Sequence, residues 1–535
     1  MTQSTNNPQD QNEPPQPKKL INLLRGWPAP ALLPAAGLQS AANYMLADPE
    51  RSVPVLQYGI DPGYQPLREE VARWLNDVYG PFWYPDPDPN RPTVADGIES
   101  VNENGQVIAD EITITGGASQ ALACVLQSFT DPGYTRSVWV VAPCYFMACP
   151  IFEDCGFRGR LRAVPEDAEG VDVDVLGEKI RACEEEPWEN HPSKNPGPDR
   201  KLYRHVIYLV ATCANPSGKT LSLARREQLV RLARHHDALI ISDDVYDLLQ
   251  WPVTDSPSIS PSTSLPPLLP LLSQIDNALG PSPHDPSPSD TSKPKHFSHA
   301  ISNASFSKLV GPGIRTGWIH GSAAFATGFA TTGTNRSGGA ASQFAAAVVW
   351  QMLRTGELEA HVDTVVRPAL RRRFDLMRAE IGKVLGPLGV SVWRGNGVGG
   401  AGTLVPTVTR SDDAVAVEGQ TEGKEKEEET KEIYGGYFLW LTLPDHPNLD
   451  ASAVAERAKT EENLIVAPGK IFEVAGDEAA AQFPRNVRLS FAWADEDEIV
   501  EGVARLGRVV RKMLRGEDDG VVDINASKGD TQEFK

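Results

Sequence analysis

Three short runs constrain this chain more than anything else in it. Residues 138–142 (VWVVA), 205–211 (HVIYLVA) and 238–242 (ALIIS) are almost unbroken apolar stretches. A strand with one wet face alternates polar and apolar residues, so unbroken runs of this length read as strands buried on both faces. Between the last two, residues 222–234 (SLARREQLVRLAR) set Leu223, Leu229, Leu232 and Ala233 on one side of a helix. Strand, helix and strand in that order predict a mainly parallel sheet covered by helices. Further on, residues 437–443 (YFLWLTL) and 487–491 (VRLSF) read as strands. The helix after them repeats Ile499, Val503, Leu506, Val510 and Met513 at steps of three and four. The expected architecture is α/β, with a large, mainly parallel sheet domain and a smaller α+β domain.

The 535 residues are not all ordered on this reading. Residues 252–296 hold eleven prolines and ten serines and read as a surface insertion, although the apolar centre Leu265–Leu272 can dock locally. Residues 397–433, Gly-rich and then Glu/Lys-rich, and a tail at 516–535 read as flexible. Net charges of −5 on residues 410–432 and −4 on 516–535 supply much of the overall −20. Boundaries follow: a polar tail at 1–18, an N-terminal strip at 19–55, a large domain at 56–365 and a small one at 366–515.

The acidic balance argues against nucleic acid and anionic membranes as partners, and no apolar stretch approaches the roughly 20 residues that span a bilayer. Six cysteines without a CxxC pair offer neither a disulfide framework nor a zinc site, so no metal is expected. With no apolar leader in residues 1–18 and no address at the C-terminus, a cytoplasmic location is expected. Residues 397–402 formally fit GxGxxG but lack a flanking strand and helix, and read as loop. His235 and His236 read as helix-end residues, and Cys144 and Cys213 as small buried apolar ones.

The chemistry concentrates in residues 305–318 (SFSKLVGPGIRTGW), where Lys308 precedes Arg315 by seven positions across a Gly-Pro-Gly turn. A desolvated lysine loses basicity, and the neutral amine attacks aldehydes. The arginine, with hydroxyls from Ser305 and Ser307, suits a phosphate, because a planar guanidinium grips two oxygens at once. An aldehyde and a phosphate on one small molecule describe pyridoxal 5′-phosphate (PLP).

This segment resembles the lysine motif of the class I/II aminotransferases, the fold-type-I PLP enzymes, and other blocks follow in that family's order. Residues 214–218 (ANPSG) resemble its Asn-Pro-x-Gly turn, which implies Asn215 at the cofactor's phenolate oxygen. Residues 242–246 (SDDVY) resemble its Asp-x-x-Tyr, implying Asp243 at the ring nitrogen and Tyr246 at the phenolate oxygen. Residues 115–122 (TGGASQAL) are similar to a turn into a helix N-terminus that cradles the phosphate through Ala118 and Ser119. Tyr145 stands where an aromatic ring stacks on the pyridine. Residues 56–63 (LQYGIDPG) resemble the segment whose tyrosine, here Tyr58, reaches the neighbouring subunit's phosphate, which implies a homodimer. Arg488, in 486–491 (NVRLSF), matches the fork for the substrate α-carboxylate, and Gly26, in a Gly-x-Pro strip, matches the closure over the substrate.

The resemblance implies transamination by a ping-pong mechanism, with the amino group of an L-amino acid passing to a 2-oxo acid, 2-oxoglutarate being the acceptor expected. Lys308 is the expected catalytic residue. The nearest group is the one handling 2-aminoadipate, kynurenine and aromatic amino acids. The same constellation supports β/γ-eliminating lyases and cyclopropane-forming synthases. PLP-sensing transcription regulators share the domain but place a DNA-binding module ahead of it, where about 20 residues stand here. Two departures are visible: 65 residues separate Asp243 from Lys308, and the acidic stretch breaks a strand pair before Gly435.

Overall fold

The computed structural model describes residues 18–82, 105–252, 268–285, 295–392 and 433–517. The Gly-rich run at 397–402, residues 1–17, most of the acidic stretch and all but the first two residues of the C-terminal tail lie outside the described residues.

The centre is a sheet of β1 (Ile112–Thr115), β2 (Ser137–Ala142), β3 (Leu161–Asp167), β4 (Gly170–Val171), β5 (His205–Leu209), β6 (Ala238–Asp243), β7 (Ala300–Ser305) and β8 (Gly317–His320). Their spatial order is β1-β8-β7-β6-β5-β2-β3-β4. The five strands from β3 through β2, β5 and β6 to β7 run parallel, while β8 is antiparallel to both of its neighbours. The unbroken apolar runs are explained by two separate cores. Val140, Tyr208, Leu239 and Ile241 feed one, and Trp139, Val141, Ile207 and Ile240 feed the other. Helix Leu223–His235 covers the second face with Leu229 and Ala233, and Leu223 and Leu232 pack at its margin.

The later sheet comprises β9 (Ser391–Val392), β10 (Phe438–Thr442), β11 (Ala467–Pro468) and β12 (Asn486–Ser490), all antiparallel in the order β9-β10-β12-β11. Helix Glu496–Leu514 buries Ile499, Val503, Leu506, Val510 and Met513. The N-terminal strip joins this part. Ile21–Asn22 pairs in parallel with Leu464–Ile465, the Ser490 amide donates to the Leu23 carbonyl at 2.7 Å, and Ala29 donates to Ala492 at 3.0 Å.

The reading of 252–296 as a surface insertion needs correction. Residues 253–267 and 286–294 lie outside the described residues, but the stretch between them is built into the fold. Leu268, Leu271, Leu272 and Ile275 are buried, and Leu272–Ala278 is helical. The fully buried Asp276 accepts from the His299 and Ala300 amides at 2.6 and 3.1 Å and from Arg234 at 2.7 Å. Those amides open β7 and need an acceptor, which proline and serine counts cannot reveal. The segment's other end is equally ordered, since Gln250–Pro252 pairs with Ile433–Gly435.

Candidate active site

In a mostly parallel sheet the strands release their chain at one common edge, and side chains from several loops meet there. Here β6 ends on Asp243, β7 runs into the turn carrying Lys308, β5 leads to Asn215, β2 to Tyr145 and β1 to helix Ala118–Phe129. From the other side come β12 with Arg488 and the strip Leu24–Trp27. Together they enclose a cavity of about 840 Å³ lined by Gly26, Ala118, Ser119, Tyr145, Asn215, Asp243, Tyr246, Ser305, Ser307, Lys308, Arg315 and Arg488. Tyr58 stays apart. It is 86% exposed and lines a separate hollow with residues from Asn335 to Gln343.

Lys308 Nζ donates to the Gly26 carbonyl at 2.9 Å and lies 5.3 Å from the centre of the Tyr437 ring. Burial pushes the amine down to about 8; the Asp243 carboxylate opposes the shift and the Arg488 cation adds to it. Asp243 accepts from the Tyr208 hydroxyl at 2.8 Å through Oδ2, while its Oδ1 is buried with no partner among the described residues. Burial pushes this carboxyl up to about 6, against the Tyr208 hydrogen bond and the charge of Lys308.

Arg488 donates from Nη1 to Asn215 Oδ1 at 2.8 Å and from Nη2 to the Leu24 carbonyl at 2.6 Å. The Phe438 ring centre lies 4.0 Å from its guanidinium. Burial lowers its pKa to about 10, which leaves it charged at neutral pH. Nε is buried without a partner, so donors remain for an anion. Tyr145 and Tyr246 are both held neutral by burial, Tyr145 being pushed up to about 12.

The opposite end is made for an anion. Gly117 opens helix Ala118–Phe129 without a side-chain cap, leaving the first-turn N–H groups available. Its φ of +98° is in the glycine region, and a Cβ there would meet Arg315 Nη2 at 2.5 Å. Arg315 is pinned by the Gly116 and Pro312 carbonyls at 2.8 and 2.9 Å and donates to Ser307 Oγ at 3.4 Å. Ser305 donates to Ser307 at 2.8 Å. The partnerless Asp243 Oδ1, the shifted Lys308 amine and this uncapped helix end fit the ring nitrogen, aldehyde and phosphate of PLP.

Several neighbours were not singled out from sequence: Tyr208, Tyr437, Leu24, Trp27 and Phe438. Tyr208 left a signal, because a phenol inside a strand buried on both faces must find an acceptor. The carbonyls of Leu24 and Gly26 left none, since main-chain acceptors carry no residue identity.

The family model for aminotransferase class I and II matches residues 94–399. The uncharacterized protein YER152C of Saccharomyces cerevisiae is 30% identical, covering 92% of this chain and 97% of its own. Aromatic-amino-acid aminotransferase 1 of Thermococcus litoralis is 23% identical over 93% of this chain and 89% of its own. Among solved structures, a Pyrococcus horikoshii kynurenine aminotransferase superimposes with a TM-score of 0.62 at 24% identity, covering 92% of this chain and 91% of that one.

Proposed function

The chain belongs to the class I and II aminotransferases and is a PLP-dependent enzyme of fold type I, and on that footing we propose both the roles of its residues and its substrates. Bound PLP supplies an aldehyde for the amino group and an electron sink that acidifies the substrate Cα–H. Lys308 holds and moves the Cα proton, a task suited to an amine that burial brings to about 8. Asp243 keeps the ring nitrogen protonated, and Tyr145 covers the ring. Asn215 and Tyr246 serve the phenolate oxygen. Ser305, Ser307, Arg315, Ser119 and the Ala118 amide hold the phosphate, joined by Tyr58 from a second copy of the chain. Arg488 grips the substrate α-carboxylate, and Gly26 fixes the strip over it.

The donor is an L-amino acid with a large apolar or aromatic side chain. Leu24 and Phe438 contact Arg488, and Trp27, Phe146, Met147 and Val245 line the same cavity; proteins of similar sequence or fold named for aromatic amino acids and kynurenine agree with such a wall. The acceptor is 2-oxoglutarate and the working unit a homodimer. The observation that carries the reading is the meeting of Lys308, Asp243 and Arg488 in one cavity. A panel of amino donors with 2-oxoglutarate, followed by glutamate formation, tests it. Aromatic donors should lead, and a panel in which no donor yields glutamate overturns the substrate assignment.

A further inference from the structure

An amino donor with an apolar side chain presents one carboxylate, whereas 2-oxoglutarate presents two. Arg488 satisfies one. The other cations lining the cavity, Lys308 and Arg315, are committed to the amine chemistry and the phosphate end. Resting on the transaminase reading above, the distal carboxylate still needs a cation near the apolar wall.

Arg25 stands there. Its neighbours Leu24, Gly26 and Trp27 all line the cavity, and the flanking carbonyls hold the site's two key cations, Leu24 O taking Arg488 and Gly26 O taking Lys308. The Arg25 guanidinium sits in a corner of two indoles, 4.7 Å from the Trp27 ring centre and 5.0 Å from that of Trp493. The two rings meet edge to face at 86°, with centres 5.6 Å apart. Cation–π contact with indole rings gives the N–H edge of a guanidinium no conventional hydrogen-bond acceptor. That edge has no acceptor: among the described residues the guanidinium makes no hydrogen bond or ion pair, and its Nε is buried without a partner. Two more deeply buried arginines of this chain find one, as Arg68 does with the Ile112 and Ala109 carbonyls and Arg226 with Thr212.

We propose that Arg25, held between Trp27 and Trp493, receives the distal carboxylate of a dicarboxylic 2-oxo acid and so selects the acceptor. Trp27 serves both half-reactions: its ring packs against apolar donor side chains and keeps the arginine at the cavity margin. A bidentate carboxylate contact explains why a fork and not a point charge is used.

The test compares wild type, Arg25→Met and Arg25→Lys, each PLP-loaded and checked for melting temperature. One aromatic donor is used with either 2-oxoglutarate or 4-methyl-2-oxopentanoate. The ratio of kcat/KM for 2-oxoglutarate to that for the monocarboxylic acid should fall at least tenfold in Arg25→Met, with part of the loss recovered in Arg25→Lys. Equilibrium titration with the unreactive pair glutarate and pentanoate should show the same loss of preference. A ratio and a titration within threefold of wild type in Arg25→Met overturn the assignment. A wild type that uses only monocarboxylic acceptors also overturns it while leaving transamination intact. If wild type transfers no amino group at all, the functional reading fails, and the glutarate titration alone decides the role of Arg25.

Discussion

Arg488 is a buried cation and Lys308 a largely buried amine, and among the described residues no carboxylate neutralises either at hydrogen-bond distance, while each leans on a main-chain carbonyl of the same strip. A protein keeps such groups when a ligand completes them. Lys308→Ala should therefore still bind PLP, through the phosphate end, but lose turnover by several orders of magnitude. Ligand titration and steady-state rates check the two halves separately. In the cofactor-free protein the amine titrates near 8, lowered by burial. The attacking form is the neutral one, so capture of PLP should accelerate about tenfold per pH unit below 8 and level off above it. Stopped-flow absorbance reads this, and a pH-independent rate across 6–9 contradicts it. Arg488→Lys replaces a fork with a point charge. It should raise KM for every donor and weaken transition-state binding by about 2–4 kcal/mol, while PLP affinity holds.

Among the elements, the helix Leu272–Ala278 departs most from what its sequence suggests. Eleven prolines and ten serines across 252–296 hide the four buried apolar residues in its middle, because pattern reasoning averages over such a window. Besides those apolar contacts, Asp276 ties the helix to the sheet, its carboxylate capping the start of β7 and pairing with Arg234. Asp276→Ala should cost about 2–4 kcal/mol, since it leaves two buried amides unsatisfied, while Arg234 keeps the Gly280 and Pro281 carbonyls. A clear drop in melting temperature is expected, and one within a degree of wild type would return the segment to decoration. Three of the five parallel strands, by contrast, were legible to within a residue or two, because burial on both faces leaves few other readings of an unbroken apolar run, which Leu161–Asp167 and Ala300–Ser305 lack. Lys308 was legible for a different reason, as a side chain whose chemistry demands one residue type, and Asp243, Asn215 and Arg488 were legible only through the motifs that resemble the family's. Arg25 and Tyr208 were not, because their meaning depends on which rings and acids lie across space from them.

For the whole molecule, the exposed Tyr58 is the informative residue. An 86% exposed tyrosine beside a glycine-rich turn, with its ring against Gly338, is poorly used in a single chain. Its own cavity lies elsewhere, and the anion-holding end of that cavity is open to a donor from outside. If a two-fold pairs two copies, each Tyr58 reaches the other's site, and each site then draws on both chains. Complementation separates this from a local role. Lys308→Ala keeps a good Tyr58 but no amine; Tyr58→Ala keeps the amine but lacks the phenol. Random exchange places half of the dimers as hybrids, and in each hybrid one of two sites is whole. Mixing equal amounts should thus restore about a quarter of wild-type activity, above the sum of the separate variants, with a sedimentation mass near twice 58.1 kDa. A monomeric mass, or a mixture no more active than its parts, places Tyr58 outside the site.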